Sequence, residues 1–212
     1  MANMKMDMCG SAAAVGTREA VAQLGLKINA SGLIPMVENM PDGYAFKPGD
    51  VITAYNGKTI EIDNTDAEGR LILADALSYA TQFKPKSVID MATLTGAVVI
   101  AIGNVASALM SNDQELADKI IKAGHHTYDR VWQLPLWDEY DRLIESDIAD
   151  VKNSGTGRQA GTIVAGMFLK RFIGDYPWAH IDVAATAMRD SAQDYNPKYS
   201  TGAGVRLVTQ YL

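Results

Sequence analysis

The sequence predicts an α/β protein: a central mixed sheet with helices on both faces, three layers built as a single domain over residues 1–212. Three observations carry that expectation. Segments that read as strands alternate along the chain with segments of helical spacing, and that order places a sheet between helices. Asn56-Gly57 stands between two β-rich runs, VITAY and KTIEI, which marks a hairpin. The composition, 48% hydrophobic and 21% charged, is that of a folded globular chain, and no repeat, low-complexity tract or linker interrupts it.

The elements follow in order. Residues 10–24 read as a helix rich in small side chains, with Gly25 as its stop. Leu26, Ile28 and Ala30 alternate with polar residues as in a strand. GLIPMVE reads as a second extended piece, which Pro35 confines to an edge or bulge. NMPDGYAFKPGD is a loop. The hairpin then turns at Asn56-Gly57, where a type I′ turn is expected. DNTDAEGR leads into a helix over LILADALSYATQF, with Leu71, Ala74, Leu77 and Ala80 at helical spacing. SVIDMATL reads as a buried strand, followed by a turn at TGA and by AVVIAIG. Ser111 and Gln114 have capping-box spacing and should open a helix that runs to about His125. WDEYDRLIE is a short amphipathic helix and ADVKNSGTGRQAG a polar, glycine-rich loop. TIVAGMFLKRF is a helix, WAHIDVAA a strand and GVRLVTQYL a C-terminal helix.

Composition also excludes. Nineteen basic against 25 acidic residues give a net charge of −6, which argues against a nucleic-acid surface spread over the chain and leaves acids available to hold cations. Cys9 is the only cysteine, so an intrachain disulfide and an all-cysteine zinc site are impossible, and a reducing, cytoplasmic location fits. The start, MANMKMDMCG, has no apolar core and does not read as a secretory signal. The longest purely apolar run, Ala97–Ile102, is too short to span a bilayer, so no membrane role is expected.

The densest chemical signal is Asn64-Thr65-Asp66-Ala67-Glu68-Gly69-Arg70, two carboxylates and a guanidinium within five residues. Thr65-x-x-Glu68 before an apolar helical run is a good capping box, and Asp66 would suit the helix dipole; from this stretch alone capping outweighs catalysis. Against that, Asp66 and Glu68 are two apart, so on extended or loop backbone they point to one side, where two carboxylates could hold a divalent metal. Arg70 could then bind an anion or a developing oxyanion. Other signals are weaker. Gly155-Thr-Gly157-Arg-Gln-Ala160 fits a dinucleotide fingerprint formally, but polar residues precede it where an apolar strand is needed. His125 and His126 are adjacent and cannot share a helix face. His180 and Asp182 alternate in a strand and read as a satisfied structural pair.

NTDAEGRL resembles the signature of the leucyl aminopeptidase (cytosol aminopeptidase) family of two-metal metallopeptidases. MKMDMCGSAA, ENMPDGYAFKPGD, VIDMATLTGA, LPLWDEY, WAHIDVA and STGAGVR are similar to further family blocks, in family order. The resemblance covers the catalytic domain. It implies that Asp7, Asp66 and Glu68 are metal ligands and therefore converge. It implies that Arg70 is catalytic, holding a bicarbonate that relays protons. Met4, Thr93, Leu94, Gly96 and Ala185 match positions that line or contact the substrate.

The implied activity is metal-dependent hydrolysis of N-terminal, preferentially apolar, leucine-like residues from peptides. The implied cofactors are two divalent ions, Mn2+ or Zn2+, with bicarbonate, and the implied assembly is a homo-oligomer, a hexamer. The family's catalytic stretch also contains a metal-binding lysine, a second metal-binding aspartate in an FDSGG-like segment and a catalytic lysine. None of these is present here, nor is the family's N-terminal domain. The expectation is therefore a partial, N-terminally incomplete catalytic domain that turns over poorly alone. The alternative is a non-catalytic fragment or scaffold that keeps the fold and has lost part of the metal site. A nucleotide-binding domain, supported only by the discounted glycine pattern, is a further rival.

Overall fold

The computed structural model describes residues 3–155 and 157–212; Thr156, inside the rejected glycine pattern, lies outside them. In chain order the elements are α1 (Cys9–Leu24), β1 (Val51–Thr53), β2 (Thr59–Glu61), α2 (Gly69–Ala80), β3 (Val88–Ala92), α3 (Ala97–Ile102), β4 (Ser107–Ser111), α4 (Gln114–Thr127), β5 (Val131–Gln133), β6 (Val151–Lys152), α5 (Gly161–Lys170), β7 (Trp178–Asp182), β8 (Met188–Arg189), β9 (Tyr199–Ser200) and α6 (Val205–Tyr211). They fall into two units. The first takes Met1–Leu33, Val88–Leu134 and Pro177–Leu212; the second takes Ile34–Ser87 and Pro135–Tyr176.

The first unit is built on a four-stranded sheet of order β3-β7-β4-β5. β3 and β7 are parallel, β7 and β4 antiparallel, β4 and β5 parallel, so the sheet is mixed. All five residues of β7 are buried. A strand with neighbours on both edges and helices on both faces has no solvent side, which is why even the alternating His180 and Asp182 of WAHID are buried. Successive residues of a strand point to opposite faces. Leu109 of β4 joins Ala179 and Ile181 in a cluster with Leu116 and Ile120 of α4 and Leu207 of α6. Its neighbour Ala108 packs instead with Val98 of α3 and with Ala185. Helices therefore cover both faces, as expected. β3 is an outer strand, half-buried throughout.

α1 lies on β3 by way of Gly10. A Cβ there would overlap the Met91 carbonyl oxygen, so a residue without a side chain lets the helix start seat on the strand backbone. The helix ends at Gly25, as expected, in the left-handed region at φ 65°. Residues 26–30, read as a strand from their alternation, pair with no strand among the described residues; Leu26 and Ile28 are exposed. The Pro35 segment is likewise irregular. Alternation marks a strand only where one face meets a core, and here neither does. α4 starts later than its capping-box reading. Asp113 is the cap, its carboxylate accepting the Leu116 amide at 2.7 Å. Ser111 belongs to β4, and its hydroxyl donates to the Trp178 carbonyl at 2.6 Å.

The second unit holds the hairpin. β1 and β2 pair antiparallel with Ile52 opposite Ile60, and β6 adds to β2 in parallel, Glu61 opposite Lys152. The turn is not type I′. Gly57 has φ 87°, whereas Asn56 is not in the positive region the type requires. Ala54 donates to the Lys58 carbonyl and accepts from the Gly57 amide, both at 2.8 Å, closing a three-residue loop with glycine in its left-handed position. α2 packs on α5, with Leu71, Ala74, Leu77 and Ala80 buried on one face as predicted. The short helix read in WDEYDRLIE is a 3-10 stretch, Asp138–Leu143. β6 lies inside the segment read as a loop. Among the described residues no helix is long and apolar enough to cross a membrane.

Candidate active site

The two acids of the NTDAEGR segment lie on the loop between β2 and α2. That loop is hung from one side chain. Asn153, 0% exposed, follows β6, and the parallel pairing of β6 with β2 brings it beneath the loop. Its Oδ1 accepts the amides of Asp63 and Asn64 at 2.9 and 3.2 Å; its Nδ2 donates to the carbonyls of Asn64 and Ala67 at 2.7 and 3.3 Å. Asn64 Oδ1 in turn accepts the Asp66 amide at 3.0 Å. Local backbone bonds are thus satisfied by a residue about 90 positions away, and the loop does not need the helix to order it.

This arrangement displaces the capping box. The N-cap of α2 is Glu68, with helical backbone and no capping bond from its side chain. Its carboxylate instead accepts from Asn39 Nδ2 at 3.2 Å. Asp66 sits in a turn and is exposed. Asp66 and Glu68 both lie on loop backbone before α2, Glu68 with helical φ and ψ. Arg70, in the first turn of α2, is 8% exposed. A guanidinium keeps its charge when buried, because its pKa is too high to give up the proton.

The first unit carries the other expected residues. Asp7 follows the 3-10 turn Met4–Met6, and its Oδ1 accepts the Thr93 hydroxyl at 2.6 Å. An expected metal ligand and an expected substrate contact, 86 residues apart, are therefore joined directly. The seat of α1 on β3 at Gly10 makes the junction. Met4 is exposed in the same turn, and Gly96 is exposed at the start of α3. Ala185, beyond the end of β7, is buried against Val98 and Ala108.

Two residues that hold these loops were not found in the sequence. Asp182, 0% exposed, ends β7. Its Oδ1 accepts the amides of Leu94 and Ala184, each at 3.1 Å, and its Oδ2 accepts the Thr95 hydroxyl at 2.7 Å. Burial pushes its carboxyl above the usual value, while the His180 charge and these hydrogen bonds pull it back. His180 makes its hydrogen bond to Asp90 and acts on Asp182 through its charge. His180 Nδ1 meets Asp90 Oδ1 at 2.5 Å, because the parallel register sets Asp90 opposite His180. Trp178 Nε1 donates to the other Asp90 oxygen at 2.6 Å. A carboxylate in the run WAHIDVAA, apolar apart from it and His180, was the available signal for Asp182. Asn153 had none, since its partners are remote in sequence.

Among the described residues, no three His, Cys, Asp or Glu side chains form a group that could hold a metal ion. Asp7, Asp66 and Glu68 are oxygen donors, which suits a hard divalent cation. Asp7 lies in the first unit, and Asp66 and Glu68 lie in the second.

Polar groups carried on loops at strand ends, over a sheet covered by helices, are the build of an α/β enzyme domain. The sequence profile for the cytosol aminopeptidase family, catalytic domain, matches residues 1–209, and the chain belongs to that family. It is 57% identical over 212 residues to a probable cytosol aminopeptidase of Geobacter sp. (strain M21), covering 100% of this chain and 43% of the relative. It is 56% identical to probable cytosol aminopeptidases of Syntrophotalea carbinolica and Nitrosospira multiformis, covering all of this chain and 42% and 40% of those proteins. The chain thus spans about two fifths of the length of these curated relatives.

Proposed function

We propose that this chain is the catalytic part of a metal-dependent aminopeptidase that removes N-terminal, preferentially leucine-like residues from peptides. The observation that supports it most is the family match over residues 1–209, which includes the acid loop and the Asp7–Thr93 junction. In this reading Asp7, Asp66 and Glu68 are ligands of two divalent ions, manganese or zinc. Arg70 keeps a fixed positive charge beside the acid loop, suited to a bicarbonate or to charge developing on the substrate. Met4, Thr93, Leu94, Gly96 and Ala185 contact the substrate. The protein works in the cytoplasm as a hexamer.

The test is a chimera in which this chain replaces the matching segment of the Geobacter relative. With manganese or zinc it is expected to hydrolyse leucyl-p-nitroanilide, and Glu68→Ala is expected to lower the rate at least about 100-fold, the scale of losing one preorganised electrostatic group. A folded, metal-supplied chimera without activity would favour the scaffold reading instead. Light scattering checks the assembly: a hexamer is expected, and a monomer at micromolar concentration would count against it.

A further inference from the structure

We propose that Asp182 is a positioning residue: its buried carboxylate holds the loop 93–96 after β3 and the turn at 183–185 after β7 at one fixed separation, and that separation sets the room for the side chain of the peptide's N-terminal residue. This rests on the reading of Leu94 and Ala185 as substrate contacts.

The strand register makes the arrangement possible. Asp182 is the last residue of the central strand, opposite Ala92 on one side and Ala108 on the other. β3 and β7 are parallel, so both chains leave the sheet at the same end. The Val183 amide still donates to the Ala92 carbonyl at 2.9 Å. Beyond that point the two backbones part, and the next link between them is the carboxylate. One oxygen takes an amide from each side, Leu94 and Ala184, while the other takes the Thr95 hydroxyl. The two segments therefore move only together.

The choice of residue is informative. The rest of β7 is apolar apart from His180, and a buried carboxylate is tolerated only where several donors compensate its desolvation. An apolar residue would fill the space without tying the segments. The neighbouring Thr93 hydroxyl is already engaged by Asp7, so loop 93–96 is held at Thr93 from α1's side and at Leu94 and Thr95 from β7's end. Between these anchors the Leu94 side chain has a fixed origin. Ala185, one residue past the Ala184 amide, has the same.

The experiment uses the 15N-labelled 212-residue chain and two amino alcohols that carry a free amine and no scissile bond, L-leucinol and L-alaninol. In the unmodified chain, leucinol is expected to shift the amides of residues 93–96 and 184–185 and to bind more tightly than alaninol. Asp182→Ala is expected to weaken leucinol about tenfold, a scale typical of pocket discrimination, and to bring the leucinol-to-alaninol ratio toward one. The Leu94 and Ala184 amides should exchange faster. Asp182→Asn should stay within about threefold, because its one oxygen can accept both amides and its NH2 can donate to a rotated Thr95 hydroxyl.

A purely structural role would reduce the folded fraction and leave the ratio unchanged, so an unchanged ratio in Asp182→Ala overturns the proposal. If that variant does not fold, Thr95→Val decides. It should weaken leucinol more than alaninol, and equal binding to the unmodified chain overturns the proposal. Absence of any leucinol response at 93–96 in the unmodified chain would instead remove the substrate reading of that loop, and the proposal with it.

Discussion

Asn153 uses its whole hydrogen-bonding capacity on one loop, two acceptances and two donations, without exposure to water. Asn153→Ala leaves backbone groups of residues 63–67 without partners and is expected to cost roughly 2–4 kcal/mol, read by denaturant unfolding. Asp of the same size should be no better, because it would set an acceptor against two carbonyls. Restored stability in Asn153→Asp would overturn this account.

Asp129 illustrates the opposite kind of buried polar group. Burial raises its pKa, and only in part do the Gly204 amide, at 2.8 Å, and the Arg206 charge offset this. The folded state then holds its proton more tightly than the unfolded chain. Stability from this group is complete below the unfolded value, about 3.9, and declines as pH rises through the folded value. Asp129→Asn removes the titration. The difference in Tm, variant minus unmodified chain, should therefore increase with pH across the acid range; a flat difference would contradict the assignment.

At the level of elements, Gly10 is the tightest constraint. Alanine is intrinsically better in a helix by about 1 kcal/mol, but here its methyl meets a main-chain oxygen that no rotamer change can move. Overpacking of this kind costs about 1–3 kcal/mol, so Gly10→Ala should lower Tm despite its propensity. It should also loosen the Asp7–Thr93 bond, visible as a shift of the Thr93 amide. The elements that were legible in the sequence are those whose pattern is local: the helix rows of Leu71, Ala74 and Leu77, the apolar run of β7, the hairpin around Gly57. The strands that escaped are β4, β5, β6, β8 and β9; all but the five-residue β4 are two or three residues long and exist because a partner strand passes by. The alternation at Leu26 and Ile28 misled for the same reason, since it has no partner.

For the molecule as a whole, the alternation of strands and helices was enough to give a mixed sheet with helices on both faces, and the acid-rich signature was visible by composition alone. What holds that signature was not, because the Asn153 and Asp182 contacts span roughly 90 residues and follow from strand register. The same distance governs the order in which the protein becomes native. The β1–β2 hairpin closes a short loop and can form early, whereas Asn153 must return across a long one, which loop-closure entropy delays. The acid loop is therefore expected to remain fluid after the hairpin beside it has formed. In pulsed hydrogen exchange during refolding, the Asp63 and Asn64 amides should gain protection together with the Asn153 amide, which donates to the Glu61 carbonyl of β2, later than Ala54. Maturation of the acid loop, on this view, is timed by the arrival of a two-residue strand.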